Sequence, residues 1–500
     1  MTTTPAPAPP PLGLGARIGY GFGSVANGVG LYALAGSVLQ LYFNQVIGLP
    51  AVLVGTVLML TILVDAVVDP LIGWWSDRFR SRWGRRHLMM YASALPTALG
   101  IYVLWHAPQG LAPAPLVAFM ISALLFVRIA GSFFEIPSQA LAPELAPGYD
   151  ERTSLFAWRF VFLVLGGAFI NFVLYQVFLR QDAANPEGIL NAERYADFGV
   201  FAAVAAFVAI VASTAATHSR IPYLHVPKAQ SASLRTTVKE VAATFSNRPL
   251  LILMVTNMLI AIAAGVTAGL SSYMYVHLWG MTPQRMSYVL SLGPFASFIS
   301  LWLAPWLARR FGKKPVMLGF YLSWLVAATV PFSAWLLGLT PPAGSDALLI
   351  FLIVDHFAFI ALAVGVHIVL NSMLSDASED IAVQTGRRSE GVMFAAYGLL
   401  AKIGQGGGAF VAGLLLTLVS FPAKAKPGTV SLDLMRELVL VNLPTVAFFN
   451  LAAIACAFFF SIDRKRHEAN LAALRARQGE TAGRGDDPDA PDAAVQTAPT

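Results

Sequence analysis

Five hundred residues, 57% apolar and only 12% charged, with a mean hydropathy of +0.65, exclude an ordinary soluble protein, which carries about 25% charge. The single cysteine, Cys456, excludes an internal disulfide framework, and continuous rather than alternating apolar runs exclude a membrane β-barrel. The net charge of +6 reads as basic loops beside a membrane, not as a nucleic-acid surface.

The composition therefore predicts an all-α membrane protein. Residues 1–14 are rich in Pro and Ala, with no charged n-region ahead of an apolar one, and read as a disordered cytoplasmic lead-in without a signal peptide. About twelve spans follow, near 16–46, 51–76, 87–107, 115–143, 153–180, 198–217, 248–278, 284–309, 314–338, 346–374, 389–419 and 437–462, each long enough to cross a bilayer. The first and tenth are long enough to require tilt, kinks or turns outside the membrane. A polar middle loop, 219–247, separates six spans in 15–218 from six in 248–466, and the polar tail 467–500 reads as disordered. The halves echo each other: the second span ends in RSRWGRR and the eighth in ARRFGKKP. Two bundles with a site between them at mid-membrane are the arrangement that such a repeat predicts. Most Lys and Arg fall on one side of these spans, which places both termini in the cytoplasm.

Charges inside the spans are the candidate chemistry. Asp65 and Asp69 lie four residues apart, on one face of the second span. A carboxylate at bilayer depth costs at least ~2.5–3.5 kcal/mol, and two on one face repel. Either one keeps its proton or a cation sits between them. In the fourth span Arg128 precedes Glu135 by seven residues, two turns along one face, which predicts an internal pair. Arg159, at the start of the fifth span, offers a fork of donors for substrate hydroxyls, a partner for Glu135, or a side chain that snorkels to the surface. Lys402, deep in the eleventh span, needs a carboxylate and is the expected gating partner of Asp65 and Asp69. Asn27, Gln139, Asn257, Tyr273, His367 and Asn371 are candidate cavity liners, although a lone polar residue more often bonds a neighbouring helix. Asp355 and His356 read as surface-polar near the outer end of the tenth span. Arg78, Arg82 and Arg85 after the second span face Asp376, Asp380 and Arg387 after the tenth as a candidate cytoplasmic gate that pairs when that side closes.

Three readings compete. Cation-coupled transport makes use of the buried acids. A membrane-embedded, magnesium-dependent prenyltransferase would use the DxxxD spacing of Asp65/Asp69 and of Asp376/Asp380, but Ile62 and Leu63 stand where such an enzyme has Asn-Asp. A sensor built on a transporter fold is the third.

Taken together, YGFGS at 20–24, DAVVDP, SDRFRSRWGRR, FFEIPSQAL, FAWRF, SDASEDIAVQTGRRSEG and YGLLAKIG resemble the glycoside–pentoside–hexuronide:cation symporter family of the major facilitator superfamily. The likeness runs through most of 15–465. It implies the twelve-helix, two-bundle fold and no enzymatic activity. It also implies co-transport of a sugar or glycoside with H⁺ or Na⁺ across the inner (plasma) membrane by a monomer that needs no cofactor. A non-sugar amphiphile such as a lysolipid is the alternative cargo. On that resemblance Asp65, Asp69, Ser132 and Lys402 form the cation site, a possible sodium site at the two aspartates. Glu135 and Arg159 bind sugar. Two departures bear on specificity. Val68 stands where the family has a sodium-ligating asparagine, which favours a proton, and Gln139 replaces a sugar-stacking tryptophan, which argues against a galactoside.

Overall fold

The computed structural model describes residues 12–33, 36–146, 149–183, 185, 188–224, 247–385, 390–462, 466 and 468–470. Most of the lead-in, the middle loop and the tail, as well as Arg387, lie outside them.

A chain in hydrocarbon must satisfy its backbone polar groups internally, so long apolar runs become helices. Eleven helices are long and apolar enough to cross a membrane among the described residues, where no strand occurs. The first span is the exception and is built from short pieces: α1 (Leu14–Phe22), α2 (Ser24–Ala33), α3 (Gly36–Leu41) and a π-helical turn at Tyr42–Ile47. The break between α1 and α2 falls at Gly23, where a Cβ would meet Phe134 Cζ at 2.7 Å and Ser213 Cβ at 2.8 Å. The remaining spans of the first half are α4 (Ala51–Arg78), α5 (His87–Trp105), α6 (Pro113–Leu145), α7 (Tyr149–Val173) and α8 (Ala192–His218). The second half contains α9 (Arg248–Tyr273), then α10 (Pro283–Leu292) and α11 (Ser297–Phe311) joined through a 3₁₀ turn, then α12 (Lys313–Leu336), α13 (Asp346–Thr385), α14 (Glu390–Leu418) and α15 (Leu432–Phe458). Asn191, Asn247 and Ser431 cap α8, α9 and α15 by accepting bonds from first-turn N–H groups.

The tenth span, expected to need tilt, kinks or turns outside the membrane, is unbroken. It is one helix of 40 residues, ~60 Å long at 1.5 Å per residue, so it extends well beyond the hydrocarbon. The sequence echo has a structural counterpart. Gly84 and Gly312 sit at corresponding places in the two basic turns, at φ 77° and 87°, a conformation that a residue with a Cβ rarely adopts.

In the first half α5 packs on α6 and α8, and α2 on α7. In the second α9 packs on α14 and α15, and α12 on α13. This is the two-bundle major facilitator architecture. The bundles meet chiefly through α4 against α14, with α9 on α3 and α10 on α7. Glycines permit the close approaches. A Cβ at Gly55 would lie 2.7 Å from the Ala409 carbonyl oxygen, and one at Gly265 the same distance from that of Gln405. At Gly408 it would strike the Ile262 carbonyl and approach Gly265 Cα to 2.7 Å. Gly408→Val is therefore expected to separate α9 from α14 and to destabilise the fold by at least ~1–3 kcal/mol, the usual cost of overpacking. A melting temperature of purified Gly408→Val equal to that of the parent would contradict this packing.

Candidate functional site

The expected charges converge on two adjacent clusters joined by α6. In the first, Lys402 of α14 lies 3.2 Å from Asp65 and also bonds Asp69, both on α4. Arg128 of α6 stands 3.5 Å from Asp65. Ser132, one turn further along α6, donates to Asp69 at 2.6 Å and to Asp65 at 3.4 Å. Two matched spacings of four produce this ladder: Asp65 and Asp69 on α4 face Arg128 and Ser132 on α6. Pro70 follows Asp69 directly and cannot donate a backbone bond to the residue-66 carbonyl. Two carboxylates and two cations balance, so the cluster carries no net formal charge with both acids ionised.

The second cluster lies three residues further along α6. Glu135 accepts from Arg159 of α7 at 2.9 Å, and from Asn27 of α2 and Gln139 of its own helix. Arg159 also donates to Ser138 Oγ at 2.7 Å and to the Tyr20 hydroxyl at 3.4 Å. Its guanidinium sits over the Tyr20 ring, 5.4 Å from the centroid. The Arg159 side chain is nearly buried, whereas Glu135 is 27% and Lys402 35% exposed. The arginine is thus held rigidly by protein while both clusters keep an accessible edge. Arg159 does not snorkel, because its three protein partners draw it inward.

Several expectations are redistributed. Arg128 pairs with Asp65 rather than Glu135, because α4 packs beside α6 and offers a nearer acid. Tyr273 and Asn257 stand apart from both clusters. Tyr273 is fully buried and donates to the Gln40 carbonyl at 3.1 Å and to Asn44 Oδ1 at 2.9 Å. Asn257 is buried and donates to the Tyr397 carbonyl at 3.3 Å. His367 bonds the Ala363 carbonyl of its own helix, and it and Asn371 are exposed. Asp355 and His356 are only part-exposed, and His356 packs against Gly293. Tyr20 and Ser138 were not singled out from the sequence; Ser138 had a signal, lying one turn from Glu135 on the same face.

Four of the six gate candidates make contacts with side chains of their own bundle, and Arg387 lies outside the described residues. Asp376 pairs with Lys313 at 2.6 Å and Asp380 with Arg466 at 2.8 Å, Arg85 pairs with Glu144, Arg78 stacks on Trp74 at 4.1 Å, and Arg82 is exposed. At the opposite end of the spans the bundles are stitched together. Besides Tyr273, Gln45 donates to the Pro422 carbonyl and accepts from the Ala425 N–H, and Gln176 donates to Ser287 Oγ at 2.7 Å.

Residues 19–464 match the family model described as MFS/sugar transport protein. Among curated relatives, the chain is 27% identical to the uncharacterized symporter sll1374 of Synechocystis sp., over 88% of this chain and 93% of the relative. It is 25% identical to the putative 2,3-dihydroxypropane-1-sulfonate exporter of Escherichia coli, over 92% and 95%. It is 24% identical to the isoprimeverose transporter of Lactiplantibacillus pentosus, over 87% and 86%. Among solved structures, a D-xylose-proton symporter superposes with a TM-score of 0.63 at 14% identity, covering 90% of this chain and 98% of that one.

Proposed function

Because this chain belongs to the MFS/sugar transport protein family, a family of transporters and not of enzymes, we propose that it is a cation-coupled symporter of a sugar or glycoside working by alternating access. The observation that carries this reading is Lys402 of the second bundle bridging Asp65 and Asp69 of the first. A charge balance shared across the bundle interface links their relative position to the occupancy of the acids. The prenyltransferase reading of the DxxxD spacings is set aside by the family.

In the proposed mechanism Lys402 is the resident counter-charge of Asp65 and Asp69. A proton or cation arriving at Asp65 and Asp69 leaves Lys402 without its full counter-charge. The tie between α4 and α14 weakens, and the bundles are free to rock. The oxygens available are those of Asp65, Asp69 and Ser132; Val68 supplies none, and Arg128 already bonds Asp65. That set suits a proton better than a sodium ion, which needs a fuller oxygen cage. Glu135, Arg159, Asn27 and Gln139 form the substrate cluster. A carboxylate and a planar guanidinium presented side by side can accept from and donate to neighbouring hydroxyls of one sugar.

The remaining assignments rest on charge placement for the orientation and on the family resemblance for the membrane and the two bundles. The basic turns face the cytoplasm, as do both termini, and the membrane is the plasma (inner) membrane. The bundles comprise 15–218 and 248–466. The stitched end of the spans is then the outer side, so the described state faces inward. Alternating access is reversible, and the gradients set the direction. Reconstituted protein should accumulate a labelled pentoside or hexoside above its equilibrium ratio when an inward proton gradient is imposed. Equal uptake with and without proton or sodium gradients, for sugars that the protein demonstrably exchanges, would rule out coupling.

A further inference from the structure

Between α4, α5 and α6, away from both clusters, lies a groove of about 380 Å³. Its walls include Trp75, Phe79, Pro96, Phe126, Ile129 and Phe133. Its one hydroxyl, that of Ser93, is already committed to the Met90 carbonyl at 2.7 Å, so the groove offers nothing to a polar ligand. Trp75, Ala92 and Phe126 are exposed within membrane-spanning helices, which opens it toward lipid. Leu88 lines both this groove and a second recess, which it shares with Ser81, Arg82 and Trp83. Arg82 of that recess and Arg80, two residues earlier in the chain, are exposed, and neither has an ion pair among the described residues. Arg85 and Arg86, by contrast, are occupied by Glu144.

We propose that this composite site binds one anionic glycerophospholipid from the leaflet on the basic-turn side. One acyl chain lies in the apolar groove and the phosphate meets Arg80, Arg82 and the Ser81 region. An apolar slot ending at an unneutralised pair of arginines complements a molecule with a hydrocarbon tail and a negative head, and basic recesses between spans are a recognised setting for such head groups. Because the groove adjoins α4, the helix that carries Asp65 and Asp69, the lipid would brace that helix from the side remote from Lys402. The inference needs only that the chain spans a membrane, and it is independent of the cargo.

The test is native mass spectrometry of the full-length protein in detergent, titrated with phosphatidylglycerol or with phosphatidylcholine of the same acyl chains. The parent should retain one phosphatidylglycerol in preference to phosphatidylcholine. Arg80→Gln/Arg82→Gln should lower that affinity ~10–30-fold, at about fivefold per arginine near the surface. Ala92→Phe, which fills the groove and leaves the arginines, should abolish retention. Equal retention of the two lipids by the parent, or unchanged phosphatidylglycerol retention in both variants, would overturn the proposal.

Discussion

Asp69→Asn is expected to remove gradient-driven accumulation while leaving substrate exchange across the membrane. Asparagine matches the volume of aspartate and still accepts from Ser132, so the α4–α6 ladder persists. It removes the charge that Lys402 bonds most closely and leaves Asp65 as that lysine's remaining partner, at 3.2 Å. Coupling between two ligands is typically ~1–3 kcal/mol, or about 5–150-fold. Its loss should therefore reduce a proton-driven accumulation ratio to near unity, at least a tenfold fall for a well-coupled parent. The same substitution leaves Lys402 with one carboxylate instead of two; at 35% exposure water screens part of the loss, so the cost in stability falls below the ~3–5 kcal/mol of a fully buried pair. Adding Lys402→Met should recover much of the lost thermal stability without restoring accumulation, because it removes the one charge that Asp69→Asn leaves short of a partner. Accumulation in Asp69→Asn equal to the parent would eliminate the aspartates as the coupling site.

The spans were legible because lipid leaves a chain few choices: continuous apolar runs must be helical, and most predicted limits from α4 to α15 fall within a few residues of those observed, whereas α13 runs on to Thr385, past its predicted end at 374. The first span was less legible. Gly23 breaks it because Phe134 and Ser213 press against the backbone from other helices, and a glycine within an apolar run reads the same whether it packs or breaks. Asp65, Asp69 and Lys402 were legible for an energetic reason, since a charge in oil demands an opposite one. The partner of Arg128 was not. Spacing along α6 pointed to Glu135, but spacing within one helix does not reveal which acid a neighbouring helix brings closer. Tyr273 and Asn257 illustrate the same limit: a polar side chain in a span looks alike in sequence whether it lines a cavity or bonds a backbone carbonyl across a helix contact.

The substrate cluster yields the second large effect. Arg159→Met should abolish saturable sugar binding, and Glu135→Gln should weaken it strongly. Arg159 is 8% exposed and anchored by Glu135, Ser138 and Tyr20, so its donors are held in one orientation before a ligand arrives. Methionine preserves much of the length and packing of the side chain but none of the donors. It also strands Glu135 without a cation, and truncating one partner of a hydrogen-bonded charge pair typically costs ~2–5 kcal/mol in binding, which is roughly 30-fold to several thousand-fold in Kd. Glutamine at 135 keeps one of the two acceptor oxygens that Asn27 and Gln139 use while removing the charge, so its loss should fall at the lower end. The informative readout is a thermal-shift screen of pentosides and hexosides at two pH values. Sugar-induced stabilisation should vanish in Arg159→Met. Any pH dependence of the ligand-free melting temperature that belongs to Asp65, Asp69 and Lys402 should survive, since those groups bond through Ser132 and Arg128 rather than through Glu135. Retained sugar stabilisation in Arg159→Met would place the cargo elsewhere. Joint loss of the sugar response and the pH response would instead mean that the two clusters on α6 behave as a single electrostatic unit.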